Sequence, residues 1–146
     1  MTRARGFKTA RRKSRQRVEK LDIAVAGAIG QTVDEVHRAG LENIDAMVAK
    51  KTGRLRRFYS KRLVEKSLKG MVGYITGAAR RSAFYARFVH DGTAKTKARP
   101  FHDHAVLEFE GKHRTRMQQA NSIALDDRAA PSGTGRSGGG KERTLK

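Results

Sequence analysis

Leu68-Lys69-Gly70-Met71-Val72-Gly73-Tyr74-Ile75-Thr76 places Leu68, Gly70, Val72 and Tyr74 on one alternating row and Lys69, Met71, Gly73 and Ile75 on the other. A period of two is a strand pattern, and it makes α+β a chain whose flanks alone read as helical. Leu55, Phe58, Tyr59, Leu63 and Val64 form a first extended segment upstream, so the pair predicts an antiparallel hairpin turning near Lys66-Ser67. Gly70 and Gly73 weaken strand propensity and point to a bulge or to close approach by another backbone.

On the N-terminal side the period lengthens. Val18, Leu21, Val25, Ile29, Val33, Val36, Gly40, Ile44 and Met47 follow one another at steps of three or four, which predicts a long amphipathic helix from about Arg17. The pattern stops at Lys50-Lys51-Thr52-Gly53, where two cations suit the negative end of the helix dipole and Gly53 suits a left-handed C-terminal position. Roughly thirty residues at about 1.5 Å each approach 50 Å, a length that invites a neighbouring subunit. Gly27, Gly30 and Gly40 each cost about 1 kcal/mol relative to Ala inside a helix, so close packing or a bend is expected near Gly27-Gly30.

On the C-terminal side, Gly77 to Arg81 reads as a turn and Ser82 as the cap of a short helix reaching about Phe88. Its aromatic face, Phe84, Tyr85 and Phe88, is expected to cover the sheet together with Phe101 as core. Asp91-Gly92-Thr93 breaks that helix, and Ala94 to Arg99 is a polar loop carrying Lys95, Lys97 and Arg99. Pro100 suits a first helical turn, and Val106, Phe109, His113, Met117, Ala120 and Ile123 or Ala124 carry a second long helix to about Asp127.

The 146 residues suit one domain with a modest core, and polar ends lower the apolar fraction to 37%. The expected organisation is a flexible basic arm over 1–16, an α+β domain over 17–127, and a Gly/Ser-rich basic tail over 128–146 that is too polar to fold alone. The formal charge of +19 divides into +8 over residues 1–20, +7 over 21–127 and +4 over 128–146. Arg3, Arg5, Lys8, Arg11, Arg12, Lys13 and Arg15 in the arm are candidate contacts to DNA or to an acidic protein. The absence of Cys excludes disulfides and thiolate metal sites, which suits assembly in a reducing cytoplasm. No apolar run approaches membrane-spanning length, and the basic start leads into an amphipathic pattern instead of a signal-peptide core, so no membrane partner is expected.

Signatures of catalysis are weak. Ser60, Thr93 and Ser122 lack a nucleophile context such as Gly-x-Ser-x-Gly, and Asp34-Glu35 and Asp126-Asp127 fall on helix surfaces. His102-Asp103-His104 is the tightest group among His90, His102, His104, His113, Asp91 and Asp103, yet it lacks the paired spacing of a zinc site. Gly70-Met71-Val72-Gly73 and Gly133-Thr134-Gly135 lack the Gly-Lys-Ser/Thr ending of a P-loop. The expectation is a protein without catalysis, cofactor or metal. Arg56-Arg57, Lys61-Arg62, Arg80-Arg81 and the Lys95-Lys97-Arg99 loop add a second set of cations, either as scattered surface or as a DNA-facing layer.

Thr52-Gly53-Arg54-Leu55-Arg56, then Tyr85-Ala86-Arg87-Phe88-Val89-His90-Asp91-Gly92-Thr93, then Arg99-Pro100-Phe101 occur in an order that resembles the neck or tail-completion (head-tail joining) proteins of long-tailed bacteriophages, typified by gene product ten of a lambdoid phage. In that family a Thr-Gly-x-Leu-Arg signal follows a long helix, and a hairpin comes next. A Tyr-Ala-x-Phe-Val-Glu-x-Gly-Thr segment then leads into Arg-Pro-Phe and a C-terminal helix. The resemblance covers about Val18 to Leu125 and departs at His90-Asp91 and at His102-Asp103-His104. It implies a structural virion protein assembled in the bacterial host cytoplasm, with copies of itself in a six- or twelve-fold ring. Its neighbours would be the head-closure and the tail-terminator or tail-tube proteins, and packaged double-stranded DNA would be touched without sequence reading. Asp91, Gly92, Thr93, Lys95, Lys97 and Arg99 are the expected contacts between subunits or rings. The charge and the arm by themselves suit an alternative, a stand-alone basic nucleic-acid-binding protein, ribosome-associated among others.

Overall fold

In the computed structural model, the backbone is described over residues 3–49 and 53–129 and side chains over 6–49 and 53–123. Helix α1 spans Arg3–Met47 and antiparallel helix α5 spans Phe101–Ala129. Between them lie α2 (Arg54–Phe58), β1 (Ser60–Val64), β2 (Lys69–Gly73), α3 (Gly77–Ser82) and α4 (Ala86–Asp91). This is the mixed helix-and-sheet architecture the alternation predicts.

The hairpin pairs Ser60 with Gly73 through Val64 with Lys69, and a 3-10 turn at Glu65–Ser67 joins its strands. Leu68 closes that turn in the left-handed region (φ 49°), which a leucine enters at a cost of about 1 to 2 kcal/mol. Its side chain packs on the cluster of Val25, Ala28, Ile29, Val33 and Ala120, and that burial holds it there. Gly70 explains how β2 lies so close to α1, since a Cβ at this position would overlap Val33 Cγ2 and come within 2.8 Å of Ile29 Cγ2. The close approach at this glycine is made by side chains of α1, where another backbone was expected.

Three clusters make one continuous core. Ile44, Leu55, Tyr59, Ala83, Ala86 and Phe101 form the end nearest the loops, Val36, Ala39, Ala105 and Phe109 the middle, and the Val25–Ala120 group the far end. Val72 packs against all three, so the hairpin's alternating row reaches every part of the core that the helix pair encloses. The helices approach closely where both offer alanine, at Ala39 and Ala105 and at Ala28 and Ala120. A polar seam runs beside them, in which Arg116 donates to both carboxylate oxygens of Glu35 at 2.8 Å and to Thr32 Oγ1 at 3.3 Å.

Several expectations need correction. The arm over 1–16 is helical from Arg3 onward, because α1 continues outward through residues rich in Ala, Arg, Lys and Gln. Helix α1 ends at Met47; Gly53 is left-handed as expected (φ 67°), but it precedes α2. Lys50, Lys51, Thr52 and residues 130–146 lie outside the described residues, and residues 128 and 129 belong to α5. Leu55 and Phe58 are helical, since a three-residue step serves one turn of helix as readily as an extended segment. The uninterrupted α1 packs at Gly30, where a Cβ would lie 3.4 Å from Leu63 Cδ2, and more tightly at Gly40, where it would overlap the Tyr59 ring.

The aromatic face is the largest correction. Phe101 is 2% exposed and Tyr85 half-buried, but Phe84 is 68% and Phe88 54% exposed. Thr76, accepting from Ala79 N at 3.1 Å, caps α3 well upstream of Ser82, which is the last residue of that helix. Ala79, Ala83 and Ala86 then take the buried face, so the backbone of α3 and α4 comes close to the core and turns the two phenyl rings outward.

Candidate functional site

The segment from Asp91 to Phe101 leaves α4 and returns as α5, and its shape begins with Gly92. That residue has φ 79°, and a Cβ there would fall 2.7 Å from Ala98 N and 2.9 Å from Thr96 O. Both conformation and space therefore demand glycine. Thr93 and Thr96 exchange backbone hydrogen bonds at 2.9 and 3.2 Å, and Thr93 Oγ1 accepts from Lys95 N and Thr96 N. Arg99 N donates to the carbonyls of Val89 and His90, closing the base of the loop onto α4. The result is a braced projection with Lys95 and Lys97 exposed and Arg99 half-buried at its foot.

Beneath it, His90 ties the two ends together. Its ring meets Phe101 edge-on at 5.3 Å, and its Nδ1 bonds Asp91 Oδ1 at 2.8 Å. Its buried Nε2 faces Asp103 Oδ1 at 3.4 Å, short of hydrogen-bonding geometry. The bond from His90, then that from Arg87, holds the Asp91 carboxyl below its usual range. Nearby, Tyr59 Oη and His102 Nδ1 share a hydrogen bond of 2.7 Å. Burial pushes the Tyr59 phenol up to about 12 and the His102 imidazole down, so both are neutral at physiological pH. These groups brace the loop from below.

One wall of the loop continues into a groove of about 540 Å³ lined by Ile44, Val48, Leu55, Tyr85, Val89 and Arg99, with Phe84 at its edge. Loop and groove thus form one surface, apolar in its floor and cationic at its rim. Sequence reading located the loop residues Asp91, Gly92, Thr93, Lys95, Lys97 and Arg99, and the structure brings them together. It missed the groove, whose signal was the Ala79-Ala83-Ala86 step that competes with the aromatics for the core.

The arm's cations are elsewhere. Lys8, Arg11, Arg12, Lys13 and Arg15 are exposed on the first turns of α1, and Arg3 and Arg5 share that helical backbone. At about 1.5 Å per residue, Arg15 and the loop end of α1 near Ile44 are roughly 40 Å apart, so the two sets are separate surfaces. Among the described residues no group of three or more His, Asp or Glu side chains is placed to hold a metal, and no helix is long and apolar enough to cross a membrane. His113 is engaged with Thr32 at 3.0 Å, whereas His102 bonds Tyr59. Compared with known protein families, curated proteins and solved structures, the chain matches none of them.

Proposed function

We propose that the chain is a structural protein of a phage or prophage-derived neck, forming a ring that joins the tail to the head, surrounds the DNA path and resides in the virion. The observation that carries this reading is the joined surface of braced loop and apolar groove, with Phe84 exposed at its edge and Phe88 exposed on α4, the helix that supplies Val89 to its lining. Exposed phenyl rings and a concave apolar floor are a liability in a lone subunit and a contact in an assembly. Because ridge and groove differ, a copy docking there makes a heterologous contact, the type that closes into rings. The resemblance of the ordered motifs supplies the particular assembly. The loop's cations are then left to meet a neighbouring head-closure or tail-terminator ring. Catalysis has no part in this role.

Replacing Lys95, Lys97 and Arg99 with Ser tests it, because Lys95 and Lys97 are exposed and Arg99 closes the loop through its backbone N, so the loop is held by backbone bonds and Gly92. The variant subunit is expected to melt as the parent does, while a lysate accumulates full heads and separate tails. Normal joining and infection by such particles would show the loop to be ordinary solvated surface.

A further inference from the structure

We infer that the first turns of α1 are a seat for double-helical DNA, laid along the major groove and held by phosphate contacts without sequence reading. This names the partner of the arm and rests on the neck reading only for the source of the duplex.

Residues 6–20 are each exposed, on every side of the helix, so the described residues of the subunit bury no face of it. Nine Lys and Arg stand against Glu19 alone in residues 1–20. At about 100° per residue, Arg11, Arg15, Lys8 and Arg12 fall within an arc of about 100°, while Lys13 and Arg17 fall on the opposite flank. Cations on two flanks of one bare helix match two walls of phosphate. A major groove about 12 Å wide admits a helix about 10 to 12 Å across with its side chains. None of these six cations has an ion-pair partner among the described residues.

An acidic protein surface is the competing partner, and the composition argues against it. Protein interfaces rely on a desolvated apolar or aromatic centre from which charged residues are depleted. Between residues 6 and 20 the only large apolar side chains are Phe7 and Val18, both exposed and eleven positions apart in sequence. Nucleic-acid interfaces are more polar and far more positively charged, as this helix is.

The test is titration of the full chain onto a labelled DNA duplex of arbitrary sequence over a range of salt, beside a variant carrying Lys8→Gln, Arg11→Gln, Arg12→Gln and Arg15→Gln. The parent should bind duplexes of unrelated sequence alike, with affinity falling steeply as salt rises. The variant should keep its thermal melt and circular dichroism, bind every duplex more weakly, and show a salt slope shallower by about four, one for each phosphate left without its cation. An unchanged slope overturns the proposal. Tighter binding to polyglutamate than to the duplex at matched salt also overturns it, in favour of an acidic protein. Equal binding to double-stranded RNA, whose major groove is too deep and narrow for side chains to read, removes the groove seat. Head-tail joining does not enter these measurements, so their failure leaves the neck reading standing, and normal joining by the loop variant leaves the DNA seat standing.

Discussion

Helix α1 is one element with two causes. From Leu21 to Met47 it buries Val25, Ala28, Ile29, Val33, Val36, Ala39 and Ile44 at steps of mostly three or four, against α5 and the hairpin. From residue 6 to residue 20 it buries nothing. In the inner half, packing selects the helix, and most helical stability in proteins has that origin. In the outer half only propensity and an already formed turn favour it, against the mutual repulsion of seven cations. Identical backbone geometry therefore carries different stability, and substitutions of one kind should have opposite weight in the two halves.

Phenylalanine draws the contrast most strongly. Phe101 is buried where the inner half meets α5, touching Tyr59 and His90 edge-on, and Phe101→Ala should cost about 3 to 5 kcal/mol in urea unfolding. Phe7 is 82% exposed on the outer half, and Phe7→Ala should stay within about 0.5 kcal/mol of the parent. Phe88→Ala, at 54% exposure, should cost well under the Phe101 value in the isolated subunit. A Phe7→Ala destabilisation comparable to that of Phe101 would mean that the outer half is packed after all.

Glycine gives a smaller and signed comparison. Gly70→Ala drives a methyl into Val33 and Ile29 of the inner half, so about 1 to 3 kcal/mol of overpacking is expected. Gly6→Ala in the outer half and Gly27→Ala on the open side of the inner half meet nothing within 4 Å. Each should raise helix stability by about 0.5 to 1 kcal/mol, read as a higher melting temperature or more helical circular dichroism. If Gly27→Ala destabilises, a neighbour sits against that face.

Much of this was legible in the residues, and the misses share a cause. The inner half of α1, the hairpin turning beside Lys66-Ser67, the helix break at Gly92 and α5 are each written as a period or a turn residue, signals that survive without tertiary knowledge. The loop half of the candidate site was legible for the same reason, since Gly92 and Pro100 mark its ends. The outer half of α1 has no apolar period, and the pattern could not distinguish a bare helix from an unstructured arm. Phe84 and Phe88 were misplaced because aromatic size was weighed above close approach through Ala79, Ala83 and Ala86. The apolar groove beside the loop, with Phe84 at its edge, was hidden by that misplacement.

The smallest effect expected concerns two carboxylate-arginine pairs, one within the seam and one outside it. Arg116 clamps Glu35 through two 2.8 Å bonds between α1 and α5, whereas Arg114 meets Glu110 at 3.2 Å one turn away on the exposed face of α5. Exposed pairs at this spacing contribute a few tenths of a kcal/mol and are screened by salt. The Arg116 bonds, followed by the charges of Arg116, Lys112 and Arg38, hold the Glu35 carboxyl below its ordinary value of 4.5 against the opposing pull of desolvation. A carboxyl depressed in the folded state adds stability that is fully present above the unfolded value and is lost as pH falls through the folded one. Thermal melts of the parent and Glu35→Gln should therefore differ at neutral pH and converge as the pH drops below 4.5. Glu110→Gln should track the parent throughout. A gap between parent and Glu35→Gln that persists unchanged in acid would assign the difference to packing of the side chain, and the seam would then owe nothing to its charge.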